Sequence, residues 1–145
     1  MIVVIYKEIK GDLFSVPEYY YLAHCISADF ALGAGIAKNF NELYDMRNKL
    51  NEYYADQKYQ CVGKALMVGK VFNLVTKQRC WQKPTYDTLR KSLMALKLHC
   101  MKLEIKKLAM PKIAAGLDRL DWNRVSEIIK EIFNDMDMEI KVYYL

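Results

Sequence analysis

Proline and glycine are scarce in this chain, nine residues of 145 together, and no low-complexity tract occurs, which excludes disordered, collagen-like and linker-rich organisation. No apolar run approaches the ~18 residues of a membrane span. The apolar opening from Met1 to Tyr6 runs into Lys7 and Glu8 with neither a basic leader nor a small-residue cleavage site. An intracellular protein without a membrane partner is expected. The four cysteines, Cys25, Cys61, Cys80 and Cys100, form no C-x-x-C pair, and with His24 and His99 they show no metal-ligand spacing. Reduced thiols, no metal and no cofactor are therefore expected. Charge is only mildly one-sided: 22 Lys and Arg against 17 Asp and Glu leave +5, which suits an anionic partner without establishing nucleic-acid binding.

What the chain does have is 53% hydrophobic residues over a length typical of one domain, so one core spanning 1–145 is expected. Ile2 to Tyr6 has the apolar, β-branched character of a buried strand closed by charges and Gly11. Tyr20 to Ile26 repeats it. Gly33-Ala34-Gly35-Ile36-Ala37 then leads into a polar stretch, Ala37 to Leu50, suited to one or two surface helices. Ala65–Val68 and Val71–Val75, separated by Gly69-Lys70, predict a hairpin.

From Thr85, placed after Pro84 as an N-cap, Leu89, Leu93, Leu96, Cys100 and Leu103 recur on one helix face. Leu108 to Met110 is a short strand stopped by Pro111. A small-residue loop follows, and then a helix capped by Asp121 with a stripe of Val125, Ile128, Ile129, Ile132 and Phe133. Met138 to Leu145 alternates as a half-buried strand, with Met138, Ile140, Val142 and Tyr144 on one face. Strands alternating with helices, plus one hairpin, predict an α/β fold with a mixed sheet.

In such sheets ligands bind beyond the carboxyl ends of strands, and two loops qualify here: Gly33 to Ala37 and Lys112 to Asp118. Small residues ahead of a helix let backbone N–H groups approach a phosphate. Gly33-Ala34-Gly35 is neither a P-loop nor a full G-x-G-x-x-G, so a purely structural turn is an equal reading. His24 and Cys25 are neighbours on a strand and point to opposite faces, which favours a core pair over a nucleophile and base. The tyrosines at positions 19, 20, 21, 53, 54 and 59 lie near lysines without a recognition motif and read as packing or rim residues.

Gly11-Asp12-Leu13-Phe14, Leu22-Ala23-His24-Cys25-Ile26-Ser27 and Gly33-Ala34-Gly35-Ile36-Ala37, in that order, resemble the opening of a macrodomain, the ADP-ribose-binding fold. Thr76-Lys77, Lys83-Pro84-Thr85-Tyr86, Met110-Pro111-Lys112-Ile113, Gly116-Leu117-Asp118-Arg119-Leu120 with Trp122, and Val142-Tyr143-Tyr144-Leu145 resemble the terminal ADP-ribose protein glycohydrolase class. The resemblance implies a three-layer α/β/α macrodomain with a mixed central sheet. It also implies removal of mono-ADP-ribose from acidic side chains and deacylation of O-acyl-ADP-ribose. The working pair of that class maps onto Lys77, as covalent nucleophile, and Asp118, as general acid and base. An opened ribose presents an aldehyde that an amine attacks to form a Schiff base, and a nearby carboxylate shuttles the protons.

The same resemblance places Asp12 and Leu13 at the adenine, Ser27 and Thr76 near the ribose and phosphates, and Leu145 at the closure of the adenine pocket. Gly33, Ala34, Gly35, Ile36 and Ala37 would clasp the diphosphate and distal ribose together with Lys112, Ile113, Ala114, Ala115, Gly116 and Leu117. The second loop departs from the pattern: Ala114-Ala115-Gly116 stands where Gly-Cys-Gly is expected, and Ala114 loses easy access to positive φ. Asn41 to Val62 also matches poorly. Read without the resemblance, Lys77 is a surface lysine, while Asp12, Asp118 and Ser27 are turn or strand-end residues. Expected partners are ADP-ribose, ADP-ribosylated proteins and O-acyl-ADP-ribose, with ADP-ribosylated nucleic acid left open, and the chain is expected to be a monomer. Two rival functions are a non-catalytic ADP-ribose reader and an ADP-ribose 1″-phosphate phosphatase that involves His24.

Overall fold

The computed structural model describes residues 4–145. Six strands form one sheet in the order β1-β6-β5-β2-β4-β3, where β1 is Ile5–Lys10, β2 Tyr21–Ser27, β3 Ala65–Val68, β4 Val71–Lys77, β5 Lys107–Pro111 and β6 Glu139–Tyr144. All neighbours run parallel except the β3–β4 hairpin, so the sheet is mixed as expected. Gly69 turns that hairpin at φ +57°, a left-handed conformation that a Cβ would resist.

Four helices cover the two faces: α1 (Gly35–Tyr44) and α2 (Met46–Tyr53) on one side, α3 (Tyr86–Lys102) and α4 (Trp122–Ile132) on the other. Their placement follows the apolar stripes. Leu89, Leu93, Leu96 and Cys100 of α3 are buried against Val125, Ile128, Ile129 and Ile132 of α4, and each buried aliphatic side chain stabilises by roughly 1.5–3 kcal/mol. On the opposite face Phe40, Met46 and Leu50 pack over Leu22, Ile26, Val71 and Val75. Both N-caps form as expected: Thr85 Oγ1 accepts from the Thr88 amide at 3.0 Å, and Asp121 Oδ1 from the Asn123 amide at 3.0 Å.

Three expectations are corrected. The first strand is not buried: β1 pairs only with β6 at the sheet edge and exposes Ile5, while Ile2 and Val3 lie outside the described residues. Its charges, Lys7, Glu8 and Lys10, are those of an edge strand. Leu103 is exposed, because α3 ends at Lys102 and the chain turns away. Tyr144 is likewise exposed at the end of β6, whereas Ile140 and Val142 are buried.

The strand order sets where a ligand can enter. From β2 the chain proceeds to β3 and then β4 on one side, and from β5 to β6 on the other, so β2 and β5 flank a topological switch point. These two strands pair only at Tyr21–Leu108 and Leu22–Ala109. Beyond Leu22 they separate, and Pro111 at the end of β5 carries no N–H for further pairing.

Candidate active site

The gap between β2 and β5 opens into a cleft of about 520 Å³, and the two loops singled out by sequence form its walls. Loop 33–37 and loop 112–118 both line it, Ala115 excepted. A second cavity of about 600 Å³ continues from it, sharing Gly35, Ile36, Pro111 and Lys112 and adding Asp12, Leu13 and Leu145. Residues assigned by resemblance to the two ends of one ligand therefore line two adjoining cavities.

The first wall is braced from behind. The Asp29 carboxylate accepts from Ser27 Oγ at 2.5 Å, the Ala31 amide at 3.1 Å and the Cys80 amide at 2.8 Å. Burial alone would raise its pKa, but these donors more than offset that and hold it below the usual carboxylate value. Arg47 of α2 reaches back to the Ala31 carbonyl through Nε at 2.8 Å. The loop then enters α1 at Ala34, which makes no side-chain cap, so the cap leaves the first-turn amides available to an anion at the positive end of the helix. Gly35 sits at φ +58°, and a Cβ there would lie 3.3 Å from Leu117 Cδ1. The two walls thus touch at Gly35 and Leu117.

The second wall hangs between β5 and α4. The Ala114 carbonyl accepts from the Leu120 amide at 2.8 Å, and Lys83 Nζ donates to the Leu117 carbonyl at 2.7 Å. Ala114 lies at φ +59°, where alanine is strained by roughly 1–2 kcal/mol. The alanine in place of the expected glycine thus occupies the conformation that glycine would favour.

At the bottom of the cleft Lys77 Nζ donates to Asp118 Oδ1 at 2.7 Å, with both side chains about five-sixths buried. A break in register brings Lys77 there. Ile26 pairs with Val75 but Ser27 pairs with Lys77, so Thr76 is the extra residue of a β-bulge that re-aims the end of β4. Thr76 itself is 1% exposed, and its Oγ1 has no hydrogen-bond partner. Neither Thr76 nor Ala115 is among the residues lining the two cavities, although their neighbours Lys77, Ala114 and Gly116 are. Ser27, by contrast, lines the cleft while its hydroxyl is engaged with Asp29.

Asp12 serves two structural ends: its Oδ1 caps the short 3-10 turn Leu13–Ser15 by accepting from the Phe14 amide at 2.9 Å, and its residue borders the second cavity. Leu145, exposed at the chain end, borders that cavity beside Tyr143 and Tyr144. Lys112 spans both cavities with its ammonium 4.5 Å from the Tyr144 ring centre.

His24 and Cys25 part company as strand neighbours should, though they do not form a core pair. His24 is fully buried on the α1 side, stacked 3.8 Å from the Phe40 ring centre, and its Nε2 bonds Asn73 Oδ1 at 2.6 Å. Asn73 Nδ2 donates to the Leu66 carbonyl, so Asn73 Oδ1 is the acceptor and His24 Nε2 carries the proton. Burial lowers the His24 pKa to about 4. It does not reach the cleft, which removes it from any phosphatase reading. Cys25 does line the cleft, exposed by the parting of β2 from β5. Burial, then the Asp118 carboxylate, pushes its thiol up to about 12, so it stands there protonated.

Cys80, Lys83 and Asn39 line the cavities without being expected there from the sequence, and Cys25, read from the sequence as a core residue, does so as well. For Lys83 the available sequence signal is its place in the Lys83-Pro84-Thr85-Tyr86 segment that carries the resemblance. Among the described residues no group of three His, Cys, Asp or Glu is arranged to hold a metal ion, and no helix is long and apolar enough to cross a membrane.

No protein-family model matches the chain. It is 45% identical over 139 residues to the ADP-ribose glycohydrolase OARD1 of Bos taurus, covering 94% of this chain and 90% of that protein. Its fold is similar to the macrodomain of Mycobacterium tuberculosis DarG, with a TM-score of 0.87 at 21% identity over 100% of this chain and 99% of the other. It also resembles Thermosipho africanus DarTG solved in complex with ADP-ribose, with a TM-score of 0.76 at 16% identity over 92% of this chain and 39% of that one.

Proposed function

Because the chain belongs to the family of the ADP-ribose glycohydrolase OARD1 and has the macrodomain fold, we propose that it is an ADP-ribose-binding hydrolase that removes mono-ADP-ribose from acidic side chains and deacylates O-acyl-ADP-ribose. The observation that carries this reading is the Lys77–Asp118 pair at 2.7 Å on the floor of a cleft walled by two backbone loops. Diphosphate at the uncapped start of α1 leaves room for adenine in the second cavity and brings the distal ribose to Lys77.

In the proposed reaction the C1″–O bond to the acyl group breaks, the carboxylate leaves with the electron pair, and Lys77, having passed its proton to Asp118, forms a C1″–N bond in its place. The ring C1″–O4″ bond then breaks and O4″ takes a proton, which gives a Schiff base that rearranges to a covalent lysine adduct, and water adding back at C1″ later frees Lys77. Asp118 shuttles protons in the steps that resolve the adduct and release ADP-ribose. The carboxylate is a good leaving group and needs little protonation. The acceptors proposed are protein carboxylates and small acyl esters.

The test is incubation with glutamate-ADP-ribosylated protein and with O-acetyl-ADP-ribose. Release of ADP-ribose from both, lost in Lys77→Ala and Asp118→Ala, is the expected result. Calorimetric binding of ADP-ribose without turnover would instead identify a reader, and phosphate release from ADP-ribose 1″-phosphate insensitive to Lys77→Ala would identify a phosphatase.

A further inference from the structure

The strand that ends on Lys77 runs into a tight turn over residues 79–82, closed by the Gln82 amide donating to the Arg79 carbonyl at 3.0 Å and the Arg79 amide donating to Gln82 Oε1 at 2.9 Å. This turn is clamped from three directions. Asp29 Oδ2 holds the Cys80 amide at 2.8 Å. Gln78 Nε2 donates to the Tyr59 carbonyl at 2.6 Å, and the Arg79 guanidinium lies 4.2 Å from the Tyr59 ring centre. Lys83 bonds the Leu117 carbonyl across the cleft. The turn presents Trp81, 75% exposed, while Cys80 and Lys83 on either side of it line the cleft wall.

The turn is pinned on both sides of Trp81 while the Trp81 side chain itself stays exposed. On the facing loop Leu117 is 63% exposed, and Arg119 follows Asp118. Among the described residues neither Arg79 nor Arg119 is in an ion pair, and Arg79 is held over the Tyr59 ring instead. The lip at the Lys77 end of the cleft thus combines tryptophan, tyrosine and two unpaired arginines. These are the residue types that carry most of the binding energy in protein–protein contacts.

We propose that the 79–82 turn is the acceptor-recognition element, with Trp81 packing on the acceptor backbone and Arg79 and Arg119 pairing with acidic side chains beside the modified one. The inference rests on the reaction proposed above, in which the group leaving C1″ is a side-chain carboxylate, so the polypeptide that bears it must pass this lip. An acidic peptide is the occupant because a modified glutamate or aspartate within an acidic segment places anions where the two unpaired arginines stand. A small acyl ester has no such extension and does not reach Trp81.

The experiment compares kcat/KM on three esters, O-acetyl-ADP-ribose, a peptide with one ADP-ribosylated glutamate among acidic neighbours and the same peptide with those neighbours changed to glutamine, and on an ADP-ribosylated oligonucleotide. Trp81→Ala is expected to lower kcat/KM on the acidic peptide by about tenfold or more through KM, as truncation of an interface anchor does, and to change O-acetyl-ADP-ribose turnover by less than about twofold. Trp81→Phe restores most of the loss. Arg79→Gln weakens only the acidic peptide. Unchanged peptide kinetics in Trp81→Ala, an equal loss on the small ester, or a loss seen only with an ADP-ribosylated oligonucleotide would each overturn the proposal. A wild type inactive on every ester overturns the reaction instead. In that case calorimetry decides the acceptor question: a tenfold weaker affinity of Trp81→Ala for the ADP-ribosylated peptide, with free ADP-ribose binding unchanged, supports the proposal, and equal affinities overturn it.

Discussion

Lys77 and Asp118, 41 residues apart in the chain, meet at 2.7 Å because a β-bulge at Thr76 and the loop after β5 aim them at one point. If Asp118 serves proton transfer, Asp118→Asn lowers kcat by about 10²–10⁴-fold while the affinity for ADP-ribose changes little. Because Asp118 is needed to resolve the adduct, intact mass measurement of Asp118→Ala incubated with substrate is expected to reveal protein carrying one ADP-ribose less one water, mapped by peptide analysis to Lys77. An unmodified Lys77 in that variant contradicts the covalent step.

Gly35→Ala is expected to weaken ADP-ribose binding and to lower stability by about 1–2 kcal/mol, the cost of alanine in the left-handed region. Its Cβ would also press on Leu117 at 3.3 Å, so the two walls must part where they now touch. Calorimetric titration and a thermal melt check both effects.

Ala114→Gly is expected to do the reverse. Relieving the φ of +59° exceeds the conformational entropy that glycine brings, for a net gain of about 0.5–1 kcal/mol. A melting temperature unchanged or lower in this variant would show that the surrounding hydrogen bonds already absorb the strain.

Acid should destabilise the protein through His24. Its folded pKa of about 4 lies below the ordinary 6.5, so the contribution is complete above pH 6.5 and is lost as pH falls toward 4. At 1.36 kcal/mol per pH unit this amounts to about 3 kcal/mol. Urea unfolding at pH 7 and pH 4.5 measures it, and His24→Gln, which keeps a donor for Asn73, is expected to flatten the acid limb.

Thiol labelling separates the cysteines. Cys80 is exposed, Cys61 and Cys100 are buried, and Cys25 is pushed up to about 12 at the cleft floor. Iodoacetamide at pH 7.5 is expected to modify Cys80 first and the other three only after unfolding, as read by peptide mass analysis.

Local patterns along the chain determined the helices and their buried faces. The 3–4 spacing of Leu89, Leu93, Leu96 and Cys100, the caps Thr85 and Asp121, and the Gly69-Lys70 hairpin are short-range features whose physics acts within a few residues. The two cleft loops followed from the same logic, since small residues between a strand and a helix mark a site whichever strands adjoin. The identities of Lys77 and Asp118 came from resemblance, and the structure supplies only their proximity. Tertiary structure alone decided the rest. The edge position of β1 depends on which strand pairs with which, and a register shift between β2 and β4, invisible along either strand, turned Lys77 into the cleft and left Thr76 buried. Cys25 faces the cleft only because β5 diverges from β2 beyond Leu22, and Trp81 gains its place on the lip only through Asp29, Tyr59 and Lys83. A sequence encodes which face a side chain takes by local periodicity, but what stands opposite that face is set by strand order and register between segments far apart in the chain.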